Sequence, residues 1–146
     1  MAKDRPKVGL AVILMDYHNQ SVLLGKRKNA HGEGTLSFPG GHLEKFEKFH
    51  DCIKREMKEE TGLNADDYFL KDNFPCAVTN DFFSDEGKHY ITLFFRANAN
   101  ANYQPKVMEP NKCEEWGWYE WRRLDNCNLF LPIKNLIKQN YNPFTS

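Results

Sequence analysis

Residues 41–63, GHLEKFEKFHDCIKREMKEETGL, restrict the fold more than any other part of the chain. Pro39-Gly40-Gly41 opens the stretch and Thr61-Gly62 closes it, two turn signals with a periodic run between them. Phe49, Ile53 and Met57 recur every four residues, which predicts a helix over Glu47–Thr61 with one apolar stripe and Gly62 as its left-handed stop. At about 100° per residue, Glu56, Glu59 and Glu60 fall within an arc of about 100° beside that stripe. Arg55 sits at the arc's edge next to Glu59, and Lys48, Lys54 and Lys58 lie on the outer side. The helix must therefore bury one face while holding three carboxylates at the core boundary.

Such a cluster costs stability: like charges at i and i+4, as in Glu56 and Glu60, destabilise a helix by a few tenths of a kcal/mol. A bare E-x-x-E-E reads first as a solvated acidic face. A divalent cation would relieve the repulsion, and a hard oxygen set without His or Cys favours Mg²⁺ or Mn²⁺, the former held by one or two carboxylates plus substrate phosphates.

The other segments supply a sheet and a second helix. Val8–Met15 reads as a buried strand, and Ser21–Lys28 returns from the polar turn Asp16–Gln20. Asn29–Thr35 is a glycine-containing loop, and Leu36–Phe38 is a short strand. Strand-like runs follow at Phe69-Leu70, Cys76–Thr79, His89–Phe95 and Glu115–Trp121, with a polar loop from Asn98 to Pro110. Leu129–Asn140 is an amphipathic helix that tolerates Pro132 in its first turn. This order predicts a mixed α/β domain. With 146 residues, 40% apolar and 27% charged, the chain reads as one globular domain over 1–146. Twenty Lys and Arg balance twenty Asp and Glu. Bulk nucleic acid and anionic membranes are therefore not indicated as partners. No apolar run approaches the roughly 20 residues of a membrane helix, and the N-terminus lacks a signal-peptide core. Cys52, Cys76, Cys113 and Cys127 form no C-x-x-C pair and read as reduced thiols of a cytoplasmic protein.

The spacing Gly41, five residues, Glu47, seven residues, Arg55-Glu56-Met57, one residue, Glu59-Glu60, one residue, Gly62-Leu63 resembles the complete Nudix box, G-x5-E-x7-R-E-U-x-E-E-x-G-U with U apolar. Pro39–Glu44, Glu109–Trp116 and Tyr141–Phe144 are similar to a MutT-like branch of the Nudix nucleotide diphosphatases. Phe46 departs from it, since that branch commonly has glycine there. The resemblance implies a mixed sheet sandwiched between helices. It also implies Mg²⁺-dependent hydrolysis of a nucleoside diphosphate linked to another group. It assigns Glu56 and Glu60 as metal ligands, Glu59 as additional ligand or water activator, and Arg55 as the residue orienting Glu56. Glu47 would support the site, and the Gly40 or Gly41 carbonyl would be a further ligand. Purine (deoxy)nucleoside triphosphates, including 8-oxo-dGTP, are the substrates it points to, with a homodimer as the assembly. Dihydroneopterin triphosphate, isoprenyl diphosphates and nucleotide sugars remain rivals, because the box reads only the diphosphate. A non-catalytic regulator is disfavoured by retention of every box glutamate.

Outside the box, Arg27 is placed either on substrate phosphates or at a solvated strand end. Glu114 and Glu115 are weaker candidates for a loop-borne ligand or base. The Trp116/Trp118/Trp121 stripe reads as core or dimer contact. His42 and His89 could lie near the pocket. The resemblance puts Phe130, Leu131, Pro132 and Ile133, at the start of the last helix, against the purine; Phe130 and Leu131 equally suit the core.

Overall fold

The computed structural model describes residues 4–100 and 104–145. Eight strands form one mixed sheet: β1 (Lys7–Asp16), β2 (Ser21–Arg27), β3 (Leu36–Ser37), β4 (Gly40–His42), β5 (Tyr68–Leu70), β6 (Ala77–Phe83), β7 (Lys88–Ala99) and β8 (Cys113–Glu120). Two helices, α1 (Phe49–Thr61) and α2 (Leu131–Lys138), cover it. The central pair β1–β7 is parallel, running from Lys7 opposite Tyr90 to Met15 opposite Asn98. The remaining strand pairings are antiparallel, and the sheet order β3-β2-β1-β7-β5 branches to β4 on β1, β6 on β7 and β8 on β2.

Strand alternation divides the core. Leu10, Val12 and Leu14 of β1, Leu23 of β2, and Phe95 and Ala97 of β7 face α1, where they meet Cys52, Ile53 and Met57. Ile13 and Met15, Val22 and Leu24, and Phe94 face the other way, onto Ile133 and Leu136 of α2. A strand buried on both faces has no polar alternation, which is why Val8–Met15 reads as a continuous apolar run. Among the described residues no helix is long and apolar enough to cross a membrane. All four cysteines are free thiols.

Several boundaries differ from the sequence expectation. The first helix starts at Phe49, not Glu47: Phe46 is left-handed at φ 65°, Lys48 is extended, and Glu47 spends its carboxylate on the Glu44 amide and on Arg55. Its end is as expected, with Gly62 at φ 75° donating to the Lys58 carbonyl. The last helix begins at Leu131 because Leu129 and Phe130 are tied in extended form to Leu36, the Phe130 amide donating to the Leu36 carbonyl. The runs at Cys76 and His89 are arms of one hairpin, β6–β7, turning at Ser84–Gly87. Strand β7 continues to Ala99, into the segment expected to be a loop, and part of that loop, 101–103, lies outside the described residues. The tryptophans do not form one stripe. Trp116 packs on the α1 side and Trp121 on the α2 side, while Trp118 is 39% exposed.

Candidate active site

A cavity of about 480 Å³ opens where β1, β4, the end of α1, the β6–β7 hairpin and the start of α2 meet. That is ample for a small ligand. One end carries Gly40, Gly41, Glu56, Glu59, Glu60 and Glu109; the other is lined by His31, Phe83, Tyr90, Phe94, Phe130 and Ile133. Arg27, Lys88 and Lys112 add cations.

The acidic end is built by two glycines lying against the helix flank. Gly40 and Gly41 pair with Ala11 and Leu10 of β1. A Cβ on Gly40 would overlap the Leu10 carbonyl, and one on Gly41 would overlap the Glu56 carboxyl. Only glycine lets this strand pass so close to the carboxylates. The Gly40 amide donates to Glu60 Oε1 at 2.7 Å. Burial, against that hydrogen bond and aided by the nearby Glu56 and Glu109 charges, pushes the Glu60 carboxyl up to about 8. Burial also raises Glu56, outweighing its contact with Arg55. Arg55 reaches Glu56 through Nη1 and both oxygens of Glu47 through Nε and Nη2, each of the latter at 2.9 Å. That pair holds Glu47 down at about 2 and raises the Arg55 guanidinium further. Glu59 is half-exposed, 3.7 Å from Arg55.

The segment around Lys106–Met108 docks on the end of α1. The Lys106 amide donates to the Thr61 carbonyl, and the Met108 amide and Trp116 Nε1 donate to that of Glu60. This brings Glu109 into the cavity. Glu114 and Glu115 are solvent-facing instead, Glu114 pairing with Lys26 at 3.3 Å. Glu109 is a cavity acid that the sequence does not single out, because it lies far along the chain from the box.

Arg27 is not a solvated strand end. Its Nε donates to the His31 carbonyl at 2.8 Å, and its guanidinium lies 4.1 Å from the centre of the Phe130 ring. Burial lowers its pKa, partly offset by Glu60. Phe130, Pro132 and Ile133 line the cavity, whereas Leu131 is not among its lining residues. His42 lines it and stacks on Tyr90 at 5.4 Å; His89 turns away to Asn80. His31, Phe83 and Tyr90 carry no motif, so nothing local in the sequence marked them. Behind this wall the buried Asp81 accepts from Thr79, Thr92 and Asn135, joining β6, β7 and α2.

Among the described residues no three acidic, His or Cys side chains already converge as a ready metal cage. Glu60 is turned to Gly40 and Glu56 to Arg55. The donor set still suits a hard cation: two carboxylates raised by burial and by neighbouring carboxylates, beside a backbone approach that a single Cβ would close.

Residues 5–139 match the NUDIX domain family model. The chain is 36% identical over 116 residues to Nudix hydrolase 2 of Arabidopsis thaliana, covering 77% of this chain and 40% of that protein. It is 31% identical over 93 residues to the 8-oxo-dGTP diphosphatase of Proteus vulgaris, covering 63% of this chain and 76% of that one. The chain spans only 9–40% of the length of the first curated relatives it matches. The crystal structure of a MutT NUDIX hydrolase from Burkholderia pseudomallei superposes with a TM-score of 0.73 at 26% identity, covering 94% of this chain and 98% of that one. With its helix–sheet–helix fold and intact acidic box, the chain belongs to the Nudix hydrolase family.

Proposed function

We propose that the protein hydrolyses purine (deoxy)nucleoside triphosphates, oxidised forms such as 8-oxo-dGTP included, to the monophosphate and pyrophosphate with Mg²⁺, Mn²⁺ substituting. The observation that carries this reading is one cavity with carboxylates at one end, aromatic rings at the other and Arg27 between them. Glu56 and Glu60, with the Gly41 or Gly40 carbonyl, would hold the cation. When bound, a divalent cation screens phosphate charge and lowers the pKa of the attacking water. Glu59, the most exposed of the three box acids in the cavity, would accept the proton or add a ligand. Arg55, anchored by Glu47, orients Glu56. Arg27, Lys88 and Lys112 meet substrate phosphates, and Phe130 meets the base.

The activity of the Proteus relative supports the substrate class. The proposal includes a single domain over 1–146 and a cytoplasmic homodimer, the latter tested by light scattering. A phosphate-release screen over nucleotides, dihydroneopterin triphosphate, prenyl diphosphates and nucleotide sugars tests the function by kcat/KM. GTP, dGTP and 8-oxo-dGTP should lead the screen and fall within about tenfold of each other, a spread of about 1.4 kcal/mol. A non-nucleotide substrate ahead by a hundredfold would replace this reading.

A further inference from the structure

The aromatic end of the cavity holds a histidine that the proposed chemistry does not use. His31, in the loop between β2 and β3, lines the cavity with its side chain 12% exposed. Tyr90 stacks on it at 5.5 Å and 17°, while Phe83 and Phe130 meet it edge-on at 4.3 and 5.1 Å. The loop beneath is tied down. Arg27 Nε donates to the His31 carbonyl, the Gly34 amide donates to the Arg27 carbonyl, and the Thr35 amide and hydroxyl donate to the Gly32 carbonyl. At Gly32, φ 75°, a Cβ would stand 2.6 Å from the Phe130 ring, so the loop is pressed against that ring.

The two ring nitrogens have different surroundings. Nδ1 lies 2.9 Å from Glu86 Oε2, in the β6–β7 turn and outside the cavity lining. An ionised carboxylate only accepts, so it selects the tautomer protonated at Nδ1. Nε2 is then a lone-pair acceptor, and among the described residues it has no hydrogen-bond partner. Burial lowers the His31 pKa against the pull of Glu86, which agrees with a neutral ring.

We infer that His31 reads the base: its Nε2 accepts a hydrogen bond from an in-plane N–H of a planar heterocycle held at Phe83, Tyr90 and Phe130, with Glu86 as the positioning residue. The inference rests on the nucleotide reading above and narrows it to bases that present an in-plane N–H donor at that edge, guanine with its N1–H and amino group among them. The competing account is a latch, in which His31 and Glu86 merely join the loop to the hairpin.

The two accounts differ in what a base-free ligand feels. Wild type, His31→Phe and Glu86→Gln are compared by kcat/KM for dGTP and by the inhibition constant of inorganic tripolyphosphate, which occupies the phosphate end alone. His31→Phe keeps an aromatic ring and should lower dGTP kcat/KM at least about tenfold, with Glu86→Gln losing part of that and tripolyphosphate inhibition unchanged within about twofold. Parallel losses for both ligands, or no loss for dGTP, would overturn base reading. A second measurement needs no variant enzyme activity: ring ¹⁵N NMR of wild type should show His31 protonated at Nδ1, with Nε2 shifting on addition of dGMP and not of tripolyphosphate. An Nε2-protonated ring, or no dGMP shift, also overturns it. A wild type that turns over no nucleoside triphosphate but still shows the dGMP shift refutes the proposed reaction and leaves the base contact standing.

Discussion

Glu47→Gln separates the support of the site from the site itself. Glu47 takes two charge-assisted hydrogen bonds from Arg55 and one from the Glu44 amide, with its side chain 14% exposed. Glutamine keeps the shape but loses the charge and sets an amide N–H₂ against a guanidinium that only donates. Arg55 is 31% exposed, so solvent screens the pair, and a loss of about 1–2 kcal/mol is expected, roughly 3–6 °C in Tm for a domain of this size. The pH dependence identifies the cause. The folded carboxyl sits at about 2 against an ordinary 4.5. Its contribution is therefore complete above the unfolded value and disappears as pH falls through the folded one. The Tm gap between wild type and variant should be full at pH 6 and fall to roughly half or less by pH 3. Activity should change separately: Arg55, freed from its anchor, orients Glu56 poorly, and the Mg²⁺ concentration for half-maximal rate should rise about tenfold or more. Thermal melts from pH 3 to 6 and Mg²⁺ titrations of the rate measure both. A Tm gap independent of pH would show that packing, not the ion pair, gives Glu47 its importance. An unchanged Mg²⁺ requirement would detach it from Glu56.

Glu60→Gln should fold, keep its bond from the Gly40 amide and lose at least about a hundredfold in kcat; near-normal turnover would remove Glu60 from the proposed ligands. Millimolar Mg²⁺ should raise the wild-type Tm because it binds the folded cluster alone, and a flat Tm across the titration counts against the site. Reaction in oxygen-labelled water should put the label in pyrophosphate, as attack at the β-phosphorus requires; label in the monophosphate moves the attack to the α-phosphorus. Phe46 is left-handed and 95% exposed, so Phe46→Gly should gain about 0.5 kcal/mol in urea unfolding, and a loss above about 1 kcal/mol would mean the ring holds the loop.

Where the sequence was readable, one element carried its own physics. The Phe49/Ile53/Met57 stripe, the Gly62 stop and the acidic flank are all spacings within a single helix, and α1 forms with them in place. The mixed α/β class was also readable from the order of strands and helices, whereas the sandwich came from the family resemblance; its physical cause is a β1 that is apolar on both faces and needs cover on each. The errors lie where a tertiary bond decides a local state. Glu47 has helix propensity and sits in an extrapolated helical repeat, but its bonds to Arg55 and the Glu44 amide are worth more than another half-turn, so the helix starts after it. Leu129 has the periodicity of α2 and is instead pinned to Leu36, a partner 93 residues away.

The same distinction explains why half the cavity was legible and half was not. The acidic end is contributed mainly by residues 40–60, so its members carry a fixed spacing. The aromatic end takes His31 from a loop after β2, Phe83 and Tyr90 from the two arms of a hairpin, and Phe130 from the residue before α2. They meet only because β1 runs parallel to β7 and β6 folds back beside it, which places the hairpin turn against the β2–β3 loop and lets Glu86 reach His31. No spacing can announce such a group. A diphosphate has one charge pattern and can be met by one rigid helix, whereas a base must be met on its faces and its edge at once. The contacts that distinguish substrates therefore have to come from several segments, and Arg27, reaching from β2 over the Phe130 ring and within the field of Glu60, is where the two halves are joined.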